Sequence, residues 1–190
     1  SLVVNVHHFA DQIIDHLSEI QGYGVPYSIS DETEMLLETG GAIKNAASYL
    51  SGCGRFFVHN VDIISNAELV AFNSAIPFDA IAGLLVCDRK TSRYLYFDED
   101  MRLRGWSNEK TGETKSPFPD FDPSSCRKLA FNGIHLLSDK VFNLMEDYPE
   151  RFSVIDFYLD ICTRYPVYGW EQKNLRMVDL GKMETLAQAE

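Results

Sequence analysis

The most restrictive feature of the chain is residues 55–64, RFFVHNVDII, where Phe56, Phe57, Val58, Val61 and Ile63 form a nearly continuous apolar run interrupted by His59, Asn60 and Asp62. A strand this apolar needs cover on both faces, as in a parallel sheet flanked by helices. The preceding sequence agrees. Residues 2–6 (LVVNV) are rich in β-branched side chains, and Phe9, Ile13, Ile14 and Leu17 then recur with helical spacing. Residues 25–30 read as a second strand, 30–34 as a polar, acidic connection, and 39–50 as a helix. Alternation of strand and helix predicts an α/β fold with a parallel sheet covered on both sides.

Further along, residues 82–87 and 93–97 read as strands, and Asp98, Glu99 and Asp100 lead through a hairpin to a strand at 103–106. Residues 108–125 are polar, rich in Pro and Gly and without periodicity, which predicts a long loop. A strand at 128–137, a short helix at 140–145, a longer one at 153–164, short strands at 167–170 and 175–178, and a helix beginning at 183 complete the expectation. The 190 residues suffice for one well-buried domain.

With 28 Asp and Glu against 17 Lys and Arg, the formal net charge is -11. That balance argues against a nucleic acid or an anionic membrane surface as partner. It leaves a nucleotide open, because a few local donors and a metal ion suffice for a small phosphate ligand. Cys53, Cys87, Cys126 and Cys162 are far apart with no C-x-x-C pair, which fits reduced thiols and a cytoplasmic setting. No apolar stretch approaches the roughly 20 residues of a membrane span.

Three segments hold residues suited to chemistry. In residues 37–44 (LETGGAIK), Thr39 can cap a helix, and Gly40 and Gly41 can let a ligand approach backbone N–H groups; by spacing alone the signal is weak, and a capped helix after a loop is the favoured reading. Asp62 lies at the carboxyl end of the apolar strand, where ligands sit in open α/β sheets, and it either ligates Mg²⁺ or caps the next turn, a task also open to Ser65 and Asn66. Asp179 stands at another strand end before Gly181 and can share that ion with Asp62 if the strands meet. The five histidines read as structural. The chain has neither G-x-S-x-G nor a P-loop signature.

In order, residues 3–14 (VVNVHHFADQII), 37–43 (LETGGAI), 57–62 (FVHNVD), 130–135 (AFNGIH) and 178–190 (VDLGKMETLAQAE) resemble the sugar-1-phosphate nucleotidyltransferases, or nucleoside-diphosphate-sugar pyrophosphorylases. The branch most resembled handles mannose-1-phosphate-like, heptose or N-acetylmuramate phosphates. The resemblance implies a Rossmann-like three-layer α/β/α fold with a mostly parallel mixed sheet. It implies transfer of a nucleoside monophosphate from a nucleoside triphosphate to a sugar 1-phosphate, with Mg²⁺ and release of pyrophosphate, and leaves room for a homo-oligomer. Asp62 and Asp179 match the metal ligands. Thr39, Gly40 and Gly41, with Glu32 nearby, match the nucleotide site, whereas Asn132 and Gly133 match the sugar pocket. Asn108 and Asp156 fall where the family contacts sugar hydroxyls.

The family opens with a strand and a glycine-rich G-x-G-T-R loop that grips the triphosphate, and residues 1–190 begin at what corresponds to its second strand. The expectation is therefore one nucleotidyltransferase domain, incomplete at its amino end. The alternative is a catalytically silent sugar-nucleotide-binding homologue or subunit. A glycosyltransferase is disfavoured because its Asp-x-Asp would place an acid where Asn60 stands.

Overall fold

The computed structural model describes residues 1–181; the helix expected from residue 183 lies outside them. In chain order the first elements are β1 (Leu2–Val6), α1 (Ala10–Glu19), β2 (Tyr27–Asp31), α2 (Glu38–Asn45), α3 (Ala47–Leu50), β3 (Arg55–His59), β4 (Ile63–Ser65) and α4 (Leu69–Ala75). There follow β5 (Ala82–Cys87), β6 (Arg93–Phe97), β7 (Leu103–Asn108), β8 (Glu113–Lys115), β9 (Arg127–Ser138), α5 (Val141–Met145), α6 (Val154–Ile161), β10 (Val167–Glu171) and β11 (Met177–Asp179). The expected α/β class holds, and the strand pairing is mixed. β1 with β2 and β5 with β10 run parallel, while β9 runs antiparallel to β3, β5 and β6.

The chain forms two compact units. The first comprises Ser1–Gly54 and Asp139–Phe157. In it β1 and β2 are joined through α1, on which Ile14 and Leu17 are half-buried. The Glu32 N–H donates to the Val6 carbonyl (2.8 Å), extending the ladder past the ends of both strands.

The second unit comprises Arg55–Ser138 and the chain from Tyr158 onward. Phe72, Ile76, Ala80, Leu85, Ile134 and Leu136 form a buried cluster, with Trp170 packed against it. The Phe72 and Trp170 rings stack at 5.1 Å. Burying side chains of this size contributes about 1.5–3 kcal/mol each before conformational entropy is counted.

Several expectations change here. The apolar run at 55–64 is not one strand covered on both faces. β3 ends at His59 and pairs with β9, Phe57 is 37% exposed and Val61 98% exposed, and the chain turns into β4, which pairs with β11. The expected loop at 108–125 contains β8. Gly112, at φ 71°, turns the chain back so that Trp106 lies opposite Lys115, whose ammonium sits over the indole. Helix α4 was not anticipated. It is too short to show a repeat, and it is held by Phe72 and Ile76 on one side while Val70 faces outward at 84% exposure.

Candidate active site

Asp62 and Asp179 are brought together by the β4–β11 ladder, in which Ile63 lies opposite Asp179 and Ile64 opposite Val178. Asp62, one residue before β4, therefore sits beside the end of β11. The Leu180 N–H donates to the Asp62 carbonyl (2.7 Å), and the Gly181 N–H to Asp179 Oδ1 (3.1 Å). A Cβ on Gly181 would stand 2.8 Å from Asp62 Oδ2 and 3.2 Å from Asp179 Oδ1. Both carboxylates thus converge on space left by a missing side chain. The alternative role of Asp62 as a turn cap is not what the structure shows. Among the described residues its carboxylate caps nothing; Ser65 Oγ accepts from the Ala67 N–H, and Asn66 Oδ1 from the Arg176 N–H.

Two hard oxygen donors beside an open space suit Mg²⁺, which keeps several waters and takes further ligands from substrate phosphates. Among the described residues no three His, Cys, Asp or Glu side chains assemble into a self-sufficient metal cluster. Two carboxylates alone leave most positions of an octahedral shell to water or other ligands.

Asn132 and Gly133 lie in the same unit, where the β5–β9 register breaks between Leu84 opposite His135 and Val86 opposite Phe131. Such a break re-aims side chains. Gly133 has φ 72°, and a Cβ there would meet the Asn60 amide nitrogen at 2.9 Å. The Asn60 N–H also donates to the Gly133 carbonyl (3.0 Å), so this bend is fastened to the turn that carries Asp62. Asn132 is 1% exposed. Its Oδ1 accepts from Arg89 Nε (3.1 Å) and from the Cys87 thiol (3.3 Å), whereas its Nδ2 has no partner among the described residues. Arg89 and the fastening role of Asn60 were missed in the sequence. An arginine just beyond the fully apolar strand at 82–87 was the available signal.

In the first unit, Glu32 and Gly41 line a cavity of about 590 Å³, together with Glu34, Lys44, Asn45 and Glu150. Glu32 is 4% exposed and its carboxylate is already engaged: Oε1 accepts from Asn5 Nδ2 (2.5 Å) and Oε2 from the Leu37 N–H (3.2 Å). Thr39 is exposed and does not cap α2, which starts at Glu38 after Leu37 without a side-chain cap. The two glycines are explained by packing. A Cβ on Gly40 would strike the Phe152 ring at 2.5 Å, and one on Gly41 the Glu150 carbonyl at 2.1 Å. At the cavity rim, the Thr33 N–H and hydroxyl hold the Asp31 carboxyl below the usual carboxylate range.

Asn108 closes the β7–β8 turn, its Oδ1 accepting from the Lys110 N–H (3.1 Å) and its carbonyl from the Gly112 N–H (2.9 Å). It is not joined to Asn132 or Gly133 by any hydrogen bond among the described residues. Asp156 lies exposed in the first turn of α6, in the first unit, with its N–H donating to Ser153 Oγ (3.4 Å).

No family model matches the chain. A 64-residue stretch is 50% identical to the N-acetylmuramate alpha-1-phosphate uridylyltransferase of Caulobacter vibrioides, covering 33% of this chain and 26% of that protein. The match thus spans about a quarter of the length of that curated relative. Over 98% of its length the chain superposes on HddC from Yersinia pseudotuberculosis, with TM-score 0.72, 24% identity and 76% of that protein covered. A putative glucose-1-phosphate thymidylyltransferase from Bacillus anthracis gives TM-score 0.74 at 15% identity, over 98% of this chain and 73% of its own. The chain shares the fold of these solved structures, one of them a putative sugar-1-phosphate nucleotidyltransferase. The inositol-1-phosphate CTP transferase from T. maritima shares the fold at TM-score 0.65 and 15% identity, with 97% and 70% covered. Among the described residues no helix is long and apolar enough to cross a membrane.

Proposed function

We propose that the protein transfers a nucleoside monophosphate from a nucleoside triphosphate to a sugar 1-phosphate, releasing pyrophosphate, with Mg²⁺ held by Asp62 and Asp179. The observation that carries this reading is the convergence of those two carboxylates on the open space at Gly181. The local likeness to a uridylyltransferase acting on N-acetylmuramate 1-phosphate supports that substrate within a panel that also includes mannose-like and heptose phosphates.

In the reaction a phosphate oxygen of the sugar 1-phosphate attacks the α-phosphorus. A new P–O bond forms as the bond to the departing pyrophosphate breaks, and no covalent enzyme intermediate is needed. Mg²⁺, when bound, neutralises phosphate charge and helps align the displacement. Asp62 and Asp179 fix the ion's place. Within the second unit, Asn132 and Gly133 at the β9 bend are assigned to the sugar, with Asn108 as a further hydroxyl contact. The cavity bordered by Glu32 and Gly41 is the place for the base and ribose; Gly41 shapes its wall, Gly40 packs against Phe152, and Thr39 is exposed for direct contact. A catalytically silent sugar-nucleotide binder is the second reading, and the loaded side chain of Glu32 favours it in one respect: that carboxylate must release a partner before it meets a base.

The test is pyrophosphate release by the full-length gene product with Mg²⁺, across four nucleoside triphosphates and a panel of hexose, heptose and N-acetylmuramate 1-phosphates. Release that requires one triphosphate and one sugar phosphate is expected. Binding of sugar nucleotide without release under any combination would establish the silent homologue instead.

A further inference from the structure

Arg89 lies just past the carboxyl end of β5 and is half-buried. Its Nε donates to Asn132 Oδ1 (3.1 Å) and its Nη2 to the Phe131 carbonyl (3.0 Å). Both acceptors are neutral. Among the described residues no carboxylate pairs with it, although Asp88 is its neighbour in a chain of formal net charge -11. Several other arginines differ. Arg104, Arg127 and Arg151 have Asp120, Glu171 and Glu38, and Arg55 is held by the Asn73 and Ile76 carbonyls at the end of α4, where the helix supplies negative charge.

A half-buried guanidinium held only by neutral acceptors carries an uncompensated charge. Its direction is set as well. Arginine has donors only, so the Asn132 carboxamide must turn its oxygen to Arg89, which leaves the buried NH₂ as a second donor with no partner among the described residues. A fixed cation and an unused amide donor, close together beside the turn that carries Asp62, form the complement of an oxyanion.

We propose that Arg89, aligned by Asn132, binds an oxyanion of the sugar substrate through its uncommitted guanidinium nitrogen. The inference rests on the function proposed above. The oxyanion comes either from the 1-phosphate or from a carboxylate on the sugar itself, and these sources can be separated.

The experiment uses full-length protein, Arg89→Gln and Arg89→Lys, assayed by pyrophosphate release with N-acetylmuramate 1-phosphate, which carries both anions, and N-acetylglucosamine 1-phosphate, which lacks the carboxylate. Loss of one charge-assisted hydrogen bond should raise KM for the sugar phosphate about tenfold to a hundredfold in Arg89→Gln, with kcat largely kept. Arg89→Lys should recover part of that loss. A rise for both sugar phosphates assigns the phosphate, and a rise confined to N-acetylmuramate 1-phosphate assigns the carboxylate. If Arg89→Gln does not fold, the same comparison is made with Arg89→Lys. Active wild-type protein whose variants keep its KM for both substrates overturns the role of Arg89 while the function stands. Wild-type protein that releases no pyrophosphate with any sugar phosphate overturns both.

Discussion

His135 and Tyr158 share a 2.7 Å hydrogen bond between imidazole Nδ1 and the phenol, both side chains fully enclosed in the second unit. Burial depresses the imidazole pKa from 6.5 to about 3. The folded protein therefore holds this ring neutral at pH values where the unfolded chain protonates it. The stability this contributes is complete above pH 6.5 and is lost as pH falls from 6.5 toward 3, by up to about 1.4 kcal/mol per pH unit. Urea unfolding at pH 7 and pH 5 should show this loss, and His135→Gln should flatten it. Asp31 and Asp122, whose carboxyls are held low by hydrogen bonds from Thr33 and Ser124, act only below about pH 4 and leave this window to the histidine.

Asp62→Asn and Asp179→Asn keep the shape of each side chain and remove its charge. Each should lower pyrophosphate release by about a hundredfold or more while the melting temperature stays near that of the parent. Chelation of divalent ions should reduce the parent to a similar level, and a variant with unchanged turnover would take its carboxylate out of the metal site.

Gly181→Ala places a methyl group between the same two carboxylates without altering either. The residue is exposed, so folding should be little affected. The magnesium concentration giving half-maximal activity should rise about tenfold or more, as expected when a metal's ligand oxygens are pushed apart. An unaltered magnesium dependence would place the ion elsewhere.

Gly41→Ala tests the packing explanation in the first unit. Its Cβ would meet the Glu150 carbonyl at 2.1 Å and the Leu37 Cβ at 2.8 Å, too close for either to yield easily. Overpacking of this kind costs about 1–3 kcal/mol, and denaturant unfolding should report it even when no nucleotide is present.

Most strands were legible because their apolar alternation or β-branched runs reflect burial directly; β5, with five of its six residues buried, is the clearest case. The apolar run at 55–64 misled because hydrophobicity records what a segment can bury rather than where the chain turns, and the turn at Asn60 and Asp62 depends on Gly133, some 70 residues away. β8 and α4 escaped because three and seven residues are too few to display a period. At the site, Asp62 and Asp179 could be named from resemblance, but their meeting is a property of the β4–β11 register. Gly40 and Gly41 showed the same limit from the other side: glycine signals a close approach without saying what approaches, and here it is residues 150–152. Arg89 gave no spacing signal, since its meaning lies in which acceptors it has and which it lacks.

The long strand β9 also sets a schedule for synthesis. Arg55 pairs with Ser138, and β5 and β6 draw on the same twelve-residue strand. A ribosome adding about 5–20 residues per second takes roughly 4 to 17 seconds to go from one end of the Arg55–Ser138 pair to the other. Throughout that interval β3 and β6 emerge without their β9 partner, with Phe56 and Leu95 still uncovered. For the newborn chain the hazardous period ends only when β9 clears the exit tunnel, and chaperone demand should peak just before it does.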